Sequence, residues 1–193
     1  MVTNRFDLAD EVRLLRDWGQ TAKYHHVRHA YNFRMDNIQG AILDVKVRHL
    51  QDWTDKRRWV AAHYDELLTE AALSAPQKPV DLEHVYHVYA VRSPHRDKLQ
   101  VQLKEAGVMT GLHYPKPVHV QPAYGSLGYK MGDFPASEQF AAETLSLPIY
   151  PEMTIQQIQY VGHTLHKLCA SVTAVAGADD GKDFQARTKA VAS

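Results

Sequence analysis

The sequence predicts a mixed α/β protein, an α+β small domain in which helices cover one face of a small sheet, preceded by a long linking helix. Three observations lead there. From Asn37 to about Ala72, apolar residues recur at helical spacing. Pro76 and Pro79 then interrupt the chain. Beyond them, short Val- and Tyr-rich runs alternate with helical patterns in the order strand, helix, strand, helix, helix.

The first element is a helix from about Leu8 to Trp18. Asp7 is its expected N-cap, Leu8, Val12 and Leu15 form the apolar stripe, and Gly19 offers a stop. Gln20 to Tyr31 holds three histidines and little periodicity, which reads as a loop. Asp36 with Gln39 makes a capping-box start for the long helix, whose stripe is Ile38, Ile42, Val45, Trp53, Val60, Tyr64 and Leu67. Its length, roughly 50 Å at the helical rise, exceeds what one small domain needs, so a bend or a bridge between domains is expected.

After the prolines, Val85–Arg92 reads as a strand. Arg96–Ala106 reads as a helix with Leu99 and Leu103 inward and Gly107 as its stop. Val108–Tyr114 is a second strand, cut off by Pro115 and Pro117. Tyr124–Asp133, with three glycines, reads as an exposed loop. Pro135 opens a further helix to about Leu145, and Leu147–Tyr150 is a short extended piece. Thr154 and Gln157 form a second capping box before a helix with Ile155, Ile158, Val161, Leu165 and Leu168 on one face. From Gly177 the chain is small, polar and aperiodic, as a disordered tail would be.

Composition sets outer limits. Lys plus Arg and Asp plus Glu are both 22, so no net field favours nucleic acid or a membrane surface. No apolar run approaches the roughly 20 residues needed to cross a bilayer, and the N-terminus has no signal-peptide core. The single cysteine, Cys169, allows no internal disulfide and fits a reducing cytoplasm; its place in an apolar helical pattern makes it a buried thiol. A cytoplasmic protein is the default expectation. Histidines are abundant, 12 in all, but no HExxH and no cysteine pair accompany His25, His26 and His29. His163 and His166 share a helix face without further ligands, so no metal site is expected. His84 and His87 bracket Val85-Tyr86; on a regular strand they face opposite ways and cannot share a metal.

Chemistry concentrates in three stretches. Tyr31-Asn32-Phe33-Arg34-Met35-Asp36-Asn37-Ile38-Gln39-Gly40-Ala41 runs into a helix start, where free N–H groups and the dipole suit a phosphate. An Asn amide donates to phosphate oxygens, and Arg adds charge and a fork. By pattern alone the favoured reading is that Asn32 caps or turns the chain while Arg34 pairs with a carboxylate. His84-Val85-Tyr86-His87 follows, then His113-Tyr114-Pro115-Lys116-Pro117-Val118-His119. His113 and Tyr114 end a strand, where side chains often project into a cleft; prolines that stiffen the loop while His and Tyr satisfy neighbours are the structural alternative.

In this order the three stretches resemble the C-terminal half of the DegT/DnrJ/EryC1/StrS sugar aminotransferases, pyridoxal-phosphate enzymes of fold type I. The likeness runs from about Val2 to Leu168. It implies transfer of an amino group, from glutamate, to a keto-sugar carried on a nucleotide, for polysaccharide, lipopolysaccharide or antibiotic biosynthesis. It implies that Asn32, with Arg34, reaches the cofactor phosphate across a dimer interface, and that His113, Tyr114 and His119 shape the sugar-binding side. It divides the chain into the end of the large cofactor-binding domain (1–35), the linking helix (36–74), the small C-terminal domain (75–170) and the tail (171–193).

In that family the lysine forming the Schiff base with pyridoxal 5'-phosphate lies before the point where this sequence begins. No lysine here has its Ser-rich, Gly-flanked setting, and Lys116, between two prolines, is no replacement. No catalytic residue is therefore assigned, and the chain alone is expected neither to bind the cofactor nor to transaminate. The partners implied are a nucleotide-sugar and an amino donor, in a homodimer or beside a full-length relative. Exposed apolar patches are expected around Leu15, Trp18 and the linking helix. The rival reading is a non-catalytic interaction module that docks on a full-length relative.

Overall fold

The computed structural model describes residues 2–69, 73–77 and 81–176, with side chains as far as Ala170. The chain divides into two compact units, with the boundary between Leu50 and Gln51. Among the described residues, no helix is long and apolar enough to cross a membrane.

The first unit opens with α1, Phe6–Arg16. It starts two residues earlier than the pattern suggests: Arg5 stands at the N-cap without a side-chain bond. Asp7 sits in the first turn, where its carboxylate takes the Arg5 guanidinium at 2.5 Å. The stop is where the sequence puts it, since the Gly19 N–H closes back on Leu14 O at 2.9 Å.

The histidine-rich run is not a loop. Gln20–Ala22 (β1) pairs antiparallel with His25–His26 (β2) around a turn in which Tyr24 has φ 68°. The structure finds partners for these polar residues: His25 Nδ1 lies 3.0 Å from Thr21 Oγ1, and His26 Nδ1 lies 2.9 Å from Trp18 O. Gly19 makes the hairpin possible. Its φ is +63°, and a Cβ there would stand 2.1 Å from Arg28 O. Gly19→Ala is expected to weaken this hairpin by more than about 1–2 kcal/mol from the left-handed backbone alone. Faster hydrogen exchange at the Val27 N–H, which bonds Gly19 O at 2.9 Å, reads that loss.

The long helix from Asn37 is two helices. The first, α2, spans Asn37–Val47, and the second, α3, spans Leu50–Leu68. Between them the His49 N–H turns back to Lys46 O at 3.1 Å, an i→i−3 bond, following the stiff β-branched Val45 and Val47. Helix formation stops short of Ala72, which lies outside the described residues.

The second unit holds the core. Tyr89–Arg92 (β3) pairs antiparallel with Thr144–Leu147 (β4), in register from Tyr89 opposite Leu147 to Arg92 opposite Thr144. Single bridges widen this ribbon on both sides, Ser74 to Arg92 and Gly111 to Ser146. The strand expected over Val108–Tyr114 is only that Gly111 bridge, and the one expected from Val85 begins at Tyr89. Tyr86 has φ 49° and breaks the extended run, its N–H bonding His84 Nδ1 at 2.8 Å.

Strand alternation places Tyr89, Val91, Leu145 and Leu147 on one face of the ribbon. These residues join a single apolar core with Val60, Tyr64 and Leu68 of α3. Leu99 and Leu103 of α4 (Arg96–Glu105) and Ile158, Val161 and Leu165 of α6 (Ile155–Ala176) complete it. Helix ends follow the sequence closely here. At the end of α4 the Gly107 N–H bonds Lys104 O at 3.0 Å and the Val108 N–H bonds Leu103 O at 2.8 Å, a Schellman pair with Gly107 at φ +77°. Thr154 and Gln157 close their box reciprocally at 2.9 and 3.3 Å.

Pro135 is the first residue of α5 (Pro135–Glu143), which ends two residues early because Thr144 and Leu145 are drawn into β4. Before it lie two short 3-10 turns, Val118–Val120 and Pro122–Leu127, the second running into the glycine loop. Cys169 is buried, and burial pushes its thiol pKa up. The backbone of α6 continues through Ala176, and residues 177–193 of the expected tail lie outside the described residues.

Candidate functional site

In the first unit, Asn32 is held by its neighbours rather than by a helix. Its backbone bridges Asp17 beyond the end of α1, and the flanking bonds Trp18 N–H to Tyr31 O (2.9 Å) and Phe33 N–H to Arg16 O (2.8 Å) fix that segment. The Arg34 Nε donates to Asn32 Oδ1 at 3.0 Å and lies 3.7 Å from Asp17 Oδ1. Occupying Oδ1 leaves the amide NH2 of Asn32 as its free donor edge. The Nη groups of Arg34, on a side chain 58% exposed, likewise have no partner among the described residues.

The start of α2 does not join this donor set. Gln39 Oε1 accepts the Asp36 N–H at 3.0 Å in a closed capping box, so the Asp36 carboxylate already serves the helix N-terminus. A phosphate here would meet the Asn32 amide and the Arg34 fork, not the dipole of α2.

The first unit has almost no interior. Of its described residues only Gly19 is buried, while Trp18, Tyr31, Phe33, Ile38, Ile42 and Val45 are each about half exposed or more. Amphipathic helices hold their shape mainly by burying an apolar face, and here that face is open.

In the second unit, His113 sits at the polar side of the ribbon. Gly111 and Ser146 face each other across a doubly bonded bridge, Gly111 N–H to Ser146 O at 3.0 Å and Ser146 N–H to Gly111 O at 2.8 Å. The His113 ring folds back over Gly111, and its Nδ1 lies 2.8 Å from Ser146 Oγ. Tyr114 is 73% exposed and lies edge-on to the His113 ring at 5.6 Å between centroids.

His119 is placed differently. Its side chain is 9% exposed, with Nε2 at 3.0 Å from Glu138 Oε1 and the ring 4.9 Å from Phe134. Glu138 in turn accepts the N–H groups of Gly132 (2.8 Å) and Phe134 (3.2 Å). Desolvation pushes the Glu138 carboxyl up, but those two N–H groups and the His119 ring outweigh it and hold its pKa below the ordinary value. A carboxyl depressed by folding stabilises above the unfolded pKa, near 4.3, and loses that contribution as pH falls through the lower folded value. The loop between His119 and Glu138 is therefore expected to stay closed through mildly acidic pH and loosen below it. Following the Gly132 and Phe134 amide resonances against pH tests this, and Glu138→Gln should remove the dependence.

Asn32 with Arg34, and His113 with Tyr114, are thus gathered as local pairs, whereas His119 is anchored on Glu138 of α5. Sequence reading missed the supporting residues Asp17, Gly111, Ser146 and Glu138. Only Gly111, a glycine inside an extended run, carried a signal, since it marks close approach of another group. Among the described residues no three His, Cys, Asp or Glu side chains converge on a metal.

The model of the DegT/DnrJ/EryC1/StrS aminotransferase family matches residues 1–166, a span that takes in all of these side chains. The chain belongs to that family. It is 46% identical over 164 residues to the "Pleiotropic regulatory protein" of Geobacillus stearothermophilus, covering 83% of this chain and 44% of that protein. To the dTDP-3-amino-3,6-dideoxy-alpha-D-galactopyranose transaminase of Aneurinibacillus thermoaerophilus it is 35% identical over 167 residues, covering 86% and 46%. Among solved structures it is similar to DesV of S. venezuelae, with TM-score 0.82 and 35% identity, covering 87% of this chain and 46% of that one. The chain therefore spans about half the length of the curated relatives it matches.

The family implies pyridoxal phosphate. The free donors of Asn32 and Arg34 match the phosphate end of that cofactor, where charge-assisted hydrogen bonds are short and strong. Of the neighbouring carboxylates, Asp36 is engaged in its cap, while Asp17 accepts Gln20 Nε2 on Oδ2 at 2.9 Å and keeps a buried Oδ1, 3.7 Å from Arg34 Nε, without a hydrogen-bond partner among the described residues.

Proposed function

We propose that this chain is the C-terminal portion of a pyridoxal-phosphate-dependent enzyme that transfers an amino group, from glutamate, to a keto-sugar carried on a nucleotide. One observation carries the reading. The family match is continuous over residues 1–166 and includes Asn32, Arg34 and the His113–His119 loop. The transaminase name of the Aneurinibacillus relative supports the nucleotide-sugar class of substrate.

The cofactor, when bound, supplies the electron sink that lets an amino group leave one carbon and join another. Asn32 and Arg34 hold its phosphate, reaching the neighbouring subunit's site from across a dimer interface. His113 and Tyr114 face the sugar, and His119 shapes that side through its bond to Glu138. The anchoring lysine and the contacts to the cofactor ring come from the half that the relatives have beyond the matched span. By itself this chain does not transaminate. The segment 1–35 closes the large domain, 36–74 links it to the small domain 75–170, and the enzyme works in the cytoplasm.

The Geobacillus relative's regulatory name, together with the apolar surface of the first unit, favours a second reading: a module that docks on a full-length aminotransferase without serving its chemistry. The visible absorbance of bound pyridoxal phosphate separates the two. In the native assembly isolated through this chain, the first reading predicts cofactor that is lost on Asn32→Asp. Cofactor content indifferent to that substitution would leave the docking reading.

A further inference from the structure

We infer that Ser146 and Gly111 together fix His113 in the tautomer with the proton on Nε2, so that the loop presents a hydrogen-bond donor and selects an oxygen acceptor. Ser146 is a positioning residue in this arrangement. The identity of the ligand rests on the function proposed above; the tautomer rests on geometry alone.

Gly111 and Ser146 are bridge partners, and His113, two residues beyond Gly111, packs its ring against that glycine. A side chain at 111 would occupy the space between them: a Cβ there would stand 2.9 Å from His113 Cε1 and 3.5 Å from Nδ1. Because residue 111 is glycine, the imidazole can lie back over the backbone and reach Ser146 Oγ at 2.8 Å.

Ser146 is 4% exposed, and His113 Nδ1 is the partner of its hydroxyl among the described residues. A buried hydroxyl with one neighbour must choose a role. If Nδ1 carried the proton and donated, the Ser146 O–H would be left without an acceptor, a loss of about 1–3 kcal/mol for a buried group. If the hydroxyl donates, Nδ1 is the bare nitrogen and the ring proton sits on Nε2. The second arrangement satisfies both groups. Nε2 has no partner among the described residues, and His113 is exposed, so the N–H is offered outward.

Long-range proton–nitrogen correlation of the His113 ring tests this in the full chain within its native assembly. The expected spectrum shows the Nε2–H form alone, and Ser146→Ala should shift it to the mixture of tautomers and the fast ring motion of free imidazole. Gly111→Ala, which keeps the hydroxyl but displaces the ring, should give the same mixture. An Nδ1–H ring in the native protein, or identical spectra for native and Ser146→Ala proteins, would overturn the inference.

Kinetics supply an independent readout. Ser146→Ala should raise KM for the nucleotide-sugar about 2- to 10-fold with kcat little changed, as for a lost neutral hydrogen bond. His113→Gln, whose amide nitrogen reaches the Nε2 position, should keep KM closer to native than His113→Asn, which reaches only the Nδ1 position. The reverse order would count against a donor at Nε2. If the assembly transfers no amino group at all, the functional reading fails, and the ring spectra still decide the tautomer.

Discussion

Replacing Tyr64 with alanine is expected to destabilise the second unit by about 3–5 kcal/mol, the range for removing a large buried aromatic side chain. Tyr64 is 0% exposed and sits where α3 meets the ribbon. Its ring lies 5.1 Å from that of Tyr89, and its hydroxyl donates to Pro148 O at 2.8 Å, just beyond β4. Alanine would open a cavity between helix and strand and leave that carbonyl unpaired. Tyr64→Phe keeps the packing and loses only the hydrogen bond, so it should destabilise by about 1 kcal/mol. Burial, with Tyr150 nearby, raises the Tyr64 pKa far above its ordinary value, so the phenol stays a donor across the working pH range. Denaturant unfolding of both variants, followed by near-ultraviolet circular dichroism, measures the two losses. Equal midpoints for Ala and Phe would mean that the ring does not bind α3 to the sheet.

The second large effect belongs to Asn32. With Oδ1 held by Arg34, its NH2 is the donor that the proposed function assigns to the cofactor phosphate. Asn32→Ala removes one hydrogen bond to a charged group, worth about 1.5–3 kcal/mol, so cofactor affinity in the assembled enzyme should fall roughly 10- to 150-fold. Asn32→Asp should do worse, because it sets a carboxylate against the phosphate and competes for Arg34 with Asp17. Equilibrium titration with pyridoxal phosphate, read by visible absorbance, gives both values. An Asp variant as tight as native would remove Asn32 from the cofactor site.

Most of the second unit was legible in the sequence because its signals are local and agree with its packing. The stripe Ile158, Val161 and Leu165, the inward pair Leu99 and Leu103, and the Gly107 stop each follow from one helix and its ends. What was not legible depends on distant partners. Thr144 and Leu145 continue a helical pattern, yet pairing with Val91 and Arg92 takes them into a strand. The hairpin at His25 and His26 rests on Gly19 approaching Arg28, which no periodicity records.

The site divides along the same line. Asn32, Arg34, His113, Tyr114 and His119 were singled out as candidates because they belong to contiguous motifs. Their supports, Asp17, Ser146 and Glu138, lie 15 to 33 residues away from them in sequence and carry no spacing signal of their own. The start of α2 shows the limit of motif reading: its geometry suits an anion, but Asp36 already fills that role.

The most direct test is isotope transfer. The assembly isolated through this chain, supplied with pyridoxal phosphate, nitrogen-15 glutamate and a nucleotide-linked keto-sugar, should yield 2-oxoglutarate and a nucleotide-sugar carrying the label on an amine. Asn32→Asp should abolish both products together. An assembly that contains the chain but leaves the label on glutamate would contradict its role in an aminotransferase.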